Sequence, residues 1–294
     1  MIVRIFLMIM FLSFLGCKPH YVKYGSKPLT EEANNYWNTG EAEITSYELT
    51  QARYGELRNG QAVMVFVTEP FSPKTFTKAD KYRRSNVQVL KLNFTKNFTT
   101  GIYPYSMMTS TFYPMDGSSS SLKISSTSQE WCGHTYMDMR NRGFLEFETR
   151  SYFDGENTKE KVNPSFVEDD VWSMIKLFPN NLPTGNFKMV PSLFYLRLLH
   201  VETKGYECQI TLQKEKEVAV YTMIYPGLNR TLSIRFERHF PFSILSWEES
   251  YPDGFGPDKK MLKTTGKKLK TLRSAYWQQN QNIHLPLRDS LGLI

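Results

Sequence analysis

A thiol and an imidazole stand two residues apart at Cys132-Gly133-His134, this chain's nearest approach to a Cys/His nucleophile pair. In such a pair the imidazole takes the thiol proton and leaves a thiolate to attack. Residues two apart share a face of a strand, so the spacing permits the contact, while Trp131 and Tyr136 around it suit ordinary packing. Ser120-Ser121-Leu122-Lys123 matches the Ser-x-x-Lys of acyl-serine enzymes, but it lies in a serine-rich hairpin tip and not at a helix start. His134 and Asp138 offer two metal ligands with no third His or Cys at useful spacing. Glu248 and Glu249 point to opposite faces of a strand, so they form no paired-carboxylate site by themselves. Gly-x-Ser-x-Gly, His-Glu-x-x-His and Walker loops are missing. The residues therefore imply no cofactor and favour a non-enzymatic role. A carrier that binds an apolar or amphipathic ligand in the groove of a curved β-sheet leads, an envelope scaffold or protein-interaction module comes second, and an unrecognised periplasmic hydrolase third.

Two patterns point to binding instead. Tyr103, Tyr105, Met107, Thr109, Thr111 and Tyr113 share one parity and would line a strand face with flat, partly polar surface. A sugar or lipid groove uses such a face; so does a tyrosine-rich core. Further on stand seven basic residues without an acid, namely Lys259, Lys260, Lys263, Lys267, Lys268, Lys270 and Arg273. They suit acidic lipid headgroups, where each nearby charge contributes about 1 kcal/mol, or else a solvated strand pair. The formal charge of +7 agrees with an anionic membrane surface or acidic polysaccharide. Nucleic acid is excluded by the compartment that the first residues imply.

Those residues read Arg4, an apolar run over 5–12, then Ser13-Phe14-Leu15-Gly16-Cys17. A positive start, a short apolar core and a small residue before the break make a secretory signal. The run is far shorter than the ~20 residues that span a bilayer. A break at cysteine implies lipidation, so Cys17 becomes the acylated first residue and the membrane is a partner through that anchor. Two or three acyl chains make such anchoring durable. The expected site is the bacterial envelope, at the outer membrane facing the periplasm, with a lipid, glycan or envelope protein as ligand. Export also leaves Cys132 and Cys208 either bridged or as two buried free thiols.

The elements that must position these groups are mainly strands. Residues 1–16 read as the signal, 17–35 as a tether broken by Pro19, Gly25 and Pro28, and 36–294 as a single β-rich domain. Aromatic residues make up 14% of the chain and hydrophobic ones 40%, enough for a core built on strands. Strands are expected at 41–49 and 61–67, with Asn59-Gly60 as the turn before the second. An antiparallel meander follows over 86–153, with a bulge at Val89-Leu90. Asn163 then caps a helix with Pro164 at its first position and Glu168, Asp169 and Asp170 near its positive end. Val167, Val171, Met174, Ile175 and Phe178 form its apolar stripe, and Lys176 lies in its final turn. Residues 192–200 read as a second helix capped by Ser192, although Phe194 to Leu198 also alternate like a strand. Further strands occupy 207–212, 218–225, 231–236 and 243–249, and the tail from Tyr276 covers a sheet edge. The fold class is mainly β: a single curved antiparallel sheet, half-barrel-like, with one or two helices on its concave face.

Particular stretches also carry a resemblance. Tyr36-Trp37-Asn38-Thr39-Gly40, Tyr54-Gly55-Glu56-Leu57, Phe66-Val67-Thr68-Glu69-Pro70-Phe71, Thr100-Gly101-Ile102-Tyr103-Pro104-Tyr105-Ser106, Gln129-Glu130-Trp131-Cys132-Gly133 and Pro191-Ser192-Leu193 are its carriers. Together they resemble a family of Bacteroidetes-type envelope lipoproteins, over nearly all of the mature chain. Members often bear the label "septum formation inhibitor Maf". True Maf proteins are nucleotide pyrophosphatases with Ser-x-Ser-Pro-Arg-Arg near the N-terminus; Ser72-Pro73-Lys74 lacks the paired arginines, so that activity does not carry over. The strand order is similar to the lipoprotein-carrier half-barrels of the LolA and LolB type, which implies a fold and not a function.

Overall fold

From Leu90 to Phe98 every second residue is buried, and all but Lys96 are apolar. That period of two commits a segment to one face of a sheet. The same alternation recurs along the chain and builds β1 (Ala42–Arg53), β2 (Glu56–Ser72), β3 (Thr77–Lys78), β4 (Val87–Thr100), β5 (Tyr103–Pro114), β6 (Lys123–Glu130), β7 (Gly133–Asn141) and β8 (Leu145–Ser151). It continues through β9 (Thr158–Val162), β10 (Phe166–Val167), β11 (Gly185–Val190), β12 (Tyr206–Lys214), β13 (Val218–Tyr225), β14 (Arg230–Glu237), β15 (Ile244–Asp253) and β16 (Lys260–Ser274). The helices are α1 (Glu31–Trp37), α2 (Val171–Leu177), α3 (Leu193–Leu199) and α4 (Pro286–Ser290). This computed structural model describes residues 25–293 apart from Tyr82 and Pro164. The signal, Cys17 and the first part of the tether lie outside the described residues.

The strands form one curved sheet in the order β10-β11-β12-β13-β14-β15-β16-β1-β2-β4-β5-β6-β7-β8-β9, with β3 beside β2. Only β10 and β11 run parallel. The two edge strands, β9 and β10, are separated in sequence by residues 163–165 alone. Four Cα steps reach at most about 14 Å, so the sheet curls until its edges stand close together without pairing. In its middle, β1 pairs with β16 from Ala42↔Ser274 to Thr50↔Thr265. That seam joins the two halves of the chain.

Two helices fill the concave side, as the sequence implies. All seven residues of α2 are buried. The Phe94 ring on β4 meets Trp172 of α2 at 5.4 Å, Phe194 of α3 at 5.5 Å and Trp247 of β15 at 5.3 Å, each edge-on. Edge-to-face packing of this kind adds about 0.5–1.5 kcal/mol per pair beyond area burial. Helix α3 matches its expected span: the Ser192 hydroxyl accepts from the Phe194 N–H, and His200 ends the helix in the left-handed region. Helix α2 starts later than expected. Residues 166–167 pair as β10 and Glu168–Asp170 form a 3-10 turn before Val171.

Other expectations give way to packing. The β1–β2 turn is Tyr54-Gly55, both at positive φ, and Asn59-Gly60 lies inside β2. A Cβ on Gly60 would stand 2.3 Å from the Asn97 carbonyl oxygen, so glycine there admits β4 and makes no turn. No bulge occurs at Val89-Leu90, because β2 and β4 pair in unbroken register. Leu90 faces the core, while Val89 packs with Phe71 and Phe76 in a satellite cluster on the convex side. The tail does not cover an edge: Leu291, past α4, packs on Ala42, Ile44 and Val67 in the middle of the sheet's convex side. Residues read as tether are partly folded. The Lys27 N–H donates to the Asp116 carbonyl, and α1, capped by Thr30, buries Ala33 and Trp37.

Candidate functional site at the mouth of the sheet

The helical plug is held by charge. Glu168, Asp169 and Asp170, expected at the positive start of a helix, are all buried, and each binds a different segment. Arg230 of β14 donates to both Glu168 oxygens at 2.5 and 2.6 Å and through Nε to Glu249 at 2.8 Å. Asp169 accepts from the Ser192 hydroxyl at 2.7 Å and the Leu193 N–H at 3.0 Å, which fixes α3. Asp170 accepts from the Ser120 hydroxyl at 2.6 Å and the Ser121 N–H at 3.2 Å. Burial pushes Asp169 up to about 7 and Asp170 up to about 6. Lys176 does not solvate the last turn of α2; it is buried against Glu43 at 2.8 Å, and burial lowers its pKa.

These bonds also dispose of the catalytic candidates. Ser120 serves Asp170, and Lys123 pairs with Asp138 at 3.5 Å, so the Ser-x-x-Lys is structural. The thiol of Cys132 bonds to Glu130, which raises its pKa and disfavours the thiolate. Asp138 is further held by Arg140 at 2.7 Å. No cluster of three metal-ligating side chains exists among the described residues. Cys132 and Cys208 are both free and form no bridge. Cys132 sits exposed in the β6–β7 turn, whereas Cys208 faces the core from β12. Glu248 and Glu249 do lie on opposite faces: one pairs with Lys263, the other with Arg230.

The binding stripe splits. Tyr105, Met107 and Tyr113 belong to the core, and Thr109 is buried against the Ser126 hydroxyl at 2.8 Å, with Thr111 buried beside them. The concave face is thus filled over most of its height. Tyr103, at the start of β5 and half-buried above Tyr105, reaches the open end where the β1–β2, β4–β5, β6–β7, β8–β9 and β15–β16 turns gather. There five rings run in a row. Phe255 stacks on Tyr54 at 5.3 Å, and the Tyr54 and Tyr105 hydroxyls share a hydrogen bond of 2.7 Å. Tyr105 lies 6.0 Å from Tyr103, which lies 6.3 Å from Trp131. Arg53 lies 4.0 Å over the Tyr54 ring and donates to both phenols at 3.0 and 3.3 Å. Phe255 and Trp131, at the ends of the row, are 70% and 69% exposed.

Beside this row lies a cleft of about 250 Å³ between β7, β8, β9 and the end of α3. Arg197 crosses its floor, donating from Nε to the Thr135 hydroxyl at 2.8 Å and lying 3.7 Å from Glu156. His200 Nδ1 also bonds to Glu156. The Phe153 ring supports both, 4.7 Å from the Arg197 guanidinium and 5.2 Å from the His200 ring. Sequence reading missed Arg53, Glu156, Arg197 and His200, which lie far apart in the chain and converge only when α3 enters the sheet. The one available signal was the position of Arg53 on the inward parity of β1.

The basic stretch does not form one patch. It runs the height of β16, with Lys259 and Lys260 at the mouth and Lys263, Lys267 and Lys270 exposed further along. Lys268 pairs opposite Tyr47 and is half-buried, and Arg273 turns over the Tyr36 ring at 3.9 Å near the other end. No described helix is long and apolar enough to cross a membrane.

No family model matches the chain, and no curated protein matches it. Two solved structures are similar over 85% of this chain and 99% of theirs. One is a beta-barrel-like protein of domain of unknown function DUF1849 from Brucella abortus, at 10% identity and a TM-score of 0.47. The other is a porin-like protein from Bacteroides uniformis, at 9% identity and a TM-score of 0.22. The Maf label gains no support from these comparisons.

Proposed function

We propose that this is an exported cell-envelope lipoprotein, anchored through Cys17, that binds an amphipathic ligand without catalysis at the mouth of its sheet. The row from Phe255 to Trp131 carries this reading, because Phe255, Tyr54, Tyr103 and Trp131 present flat apolar surface above the buried Tyr105 phenol and Arg53 guanidinium that fix them. That pairing of apolar surface with a few fixed polar groups suits small-ligand sites. The filled concavity moves the ligand from the groove to its rim. A second reading, a scaffold or protein-interaction module, draws on exposed Ile102, Trp131 and Phe255 at three separate turns.

The test is a lipid extract of the purified full chain examined by mass spectrometry. A recurrent amphiphile, lost from the Tyr103→Ala/Trp131→Ala variant, supports the carrier reading. Repeatedly empty protein that instead retains an envelope protein through the same side chains supports the scaffold.

A further inference from the structure

The cleft beside the aromatic row is built for one chemistry. Leu196 and Arg197 stand one turn before His200, the cap of α3, which sets an apolar floor beside a guanidinium and an imidazole. Opposite them, Thr149 and Thr158 face inward from β8 and β9, with the Glu160 carboxylate two residues on. Arg197 spends Nε on Thr135 and turns Nη1 toward Glu156, and His200 donates from Nδ1 to Glu156. Arg197 Nη2, His200 Nε2, Glu160 and the two threonine hydroxyls remain for a ligand.

Charge narrows the class. Glu156 and Glu160 oppose a phosphate or a carboxylate, and Arg197 opposes an ammonium. A neutral ring carrying several hydroxyls meets neither objection. It can donate to the carboxylate, the threonines and the imidazole Nε2, accept from the guanidinium, and lay its carbon face on Met137, Leu196 and Val201. We infer that this cleft binds a neutral sugar ring, either a free sugar or the headgroup of a glycolipid whose chain lies along the aromatic row. The inference rests on the ligand-binding reading above and names the polar end of that ligand.

The experiment titrates the full chain, purified in a detergent without a sugar headgroup, with glucose, with octyl glucoside and with decylphosphocholine. Saturation-transfer NMR and calorimetry report binding. The expected result is that octyl glucoside binds and that Thr149→Val/Glu160→Gln weakens it about tenfold, as loss of a charge-assisted hydrogen bond does. Glucose that binds alone identifies a free sugar as sufficient; glucose that does not bind identifies a glycolipid. Met137→Trp, which fills the cleft from β7, provides a second variant should the first unfold. Absence of binding by both sugars, or binding that neither variant alters, overturns the inference. Decylphosphocholine that binds and is lost in Trp131→Ala, with both sugars silent, removes the cleft assignment alone. Sugar binding with no amphiphile retained removes the row instead.

Discussion

Arg230 grips Glu168 with both terminal guanidinium nitrogens, at 2.5 and 2.6 Å, and each side chain is about 1% exposed. The pair joins the wall of the sheet to the segment that leads into its plug. A buried ion pair need not add net stability, yet removal of one partner leaves the other charged and dry. Arg230→Met should therefore cost about 3–5 kcal/mol in urea unfolding. Arg230→Met with Glu168→Leu and Glu249→Gln should recover most of that loss, since both carboxylates that Arg230 pairs are then removed. A triple variant no better than the single would mean that the two acids find other partners.

The other two acids set a pH dependence opposite to that of most carboxylates. Asp169 and Asp170, at about 7 and about 6, lie above their ordinary value of 3.8 because burial disfavours the charged form. Well below pH 3.8 both are protonated whether the chain is folded or not, and their contribution is fully present. As pH rises toward 7 the unfolded chain releases protons that the folded chain keeps, so stability falls. Urea midpoints measured from pH 4 to 8 should show this decline, and Asp169→Asn should flatten it. An unchanged slope in that variant would place the titration elsewhere.

Gly266 faces the Trp247 ring so closely that an added Cβ would lie 2.1 Å from it. Trp247 is itself wedged between Phe94, Tyr47 and Trp172. Gly266→Ala should thus cost about 1–3 kcal/mol through overpacking. Gly227→Ala, with open space around it, should stay within about 0.5 kcal/mol of the parent. Thermal unfolding of the two variants checks the contrast.

Maleimide should label Cys132 in the folded protein and Cys208 only after denaturation. Cys132 is exposed, whereas burial pushes the Cys208 thiol up to about 12. Mass spectrometry of native and denatured labelling gives the answer, and a shift in reactivity after mild reduction would reveal a bridge.

Replacement of Cys17 by Ser should release the protein from membranes into the soluble fraction. Retention after that change would locate the anchor in another segment.

The meander over β4 to β8 and the four late strands were legible because one face of each is buried, and a period of two follows from that alone. The helix at 192–200 was legible through Ser192. Less legible were β9 and β11, short strands at or next to the sheet's edges whose residues Thr158–Val162 and Gly185–Val190 show little apolar alternation. The fate of Glu168, Asp169 and Asp170 was hidden for a different reason. Three adjacent acids look solvated until Arg230, Ser192 and Ser120 arrive from positions 62, 23 and 50 residues away. The mouth was half visible: alternation revealed Tyr103 and Tyr105, but only the curl of the sheet brings Arg197 and His200 beside them.

The β1–β16 seam has a consequence for how the protein is made. Every other antiparallel pairing along the sheet joins strands near one another in sequence, so each half of the sheet can form soon after its residues are made. The seam cannot, since Ala42 must wait for Ser274. Until then β1 presents an open edge, and β16 once made shows its free edge beside β15 until β1 meets it, a state exposed to wrong pairing with other chains. Emergence of β16 is therefore the step at which two vulnerable half-sheets become one, and the step at which a chaperone would have most to protect.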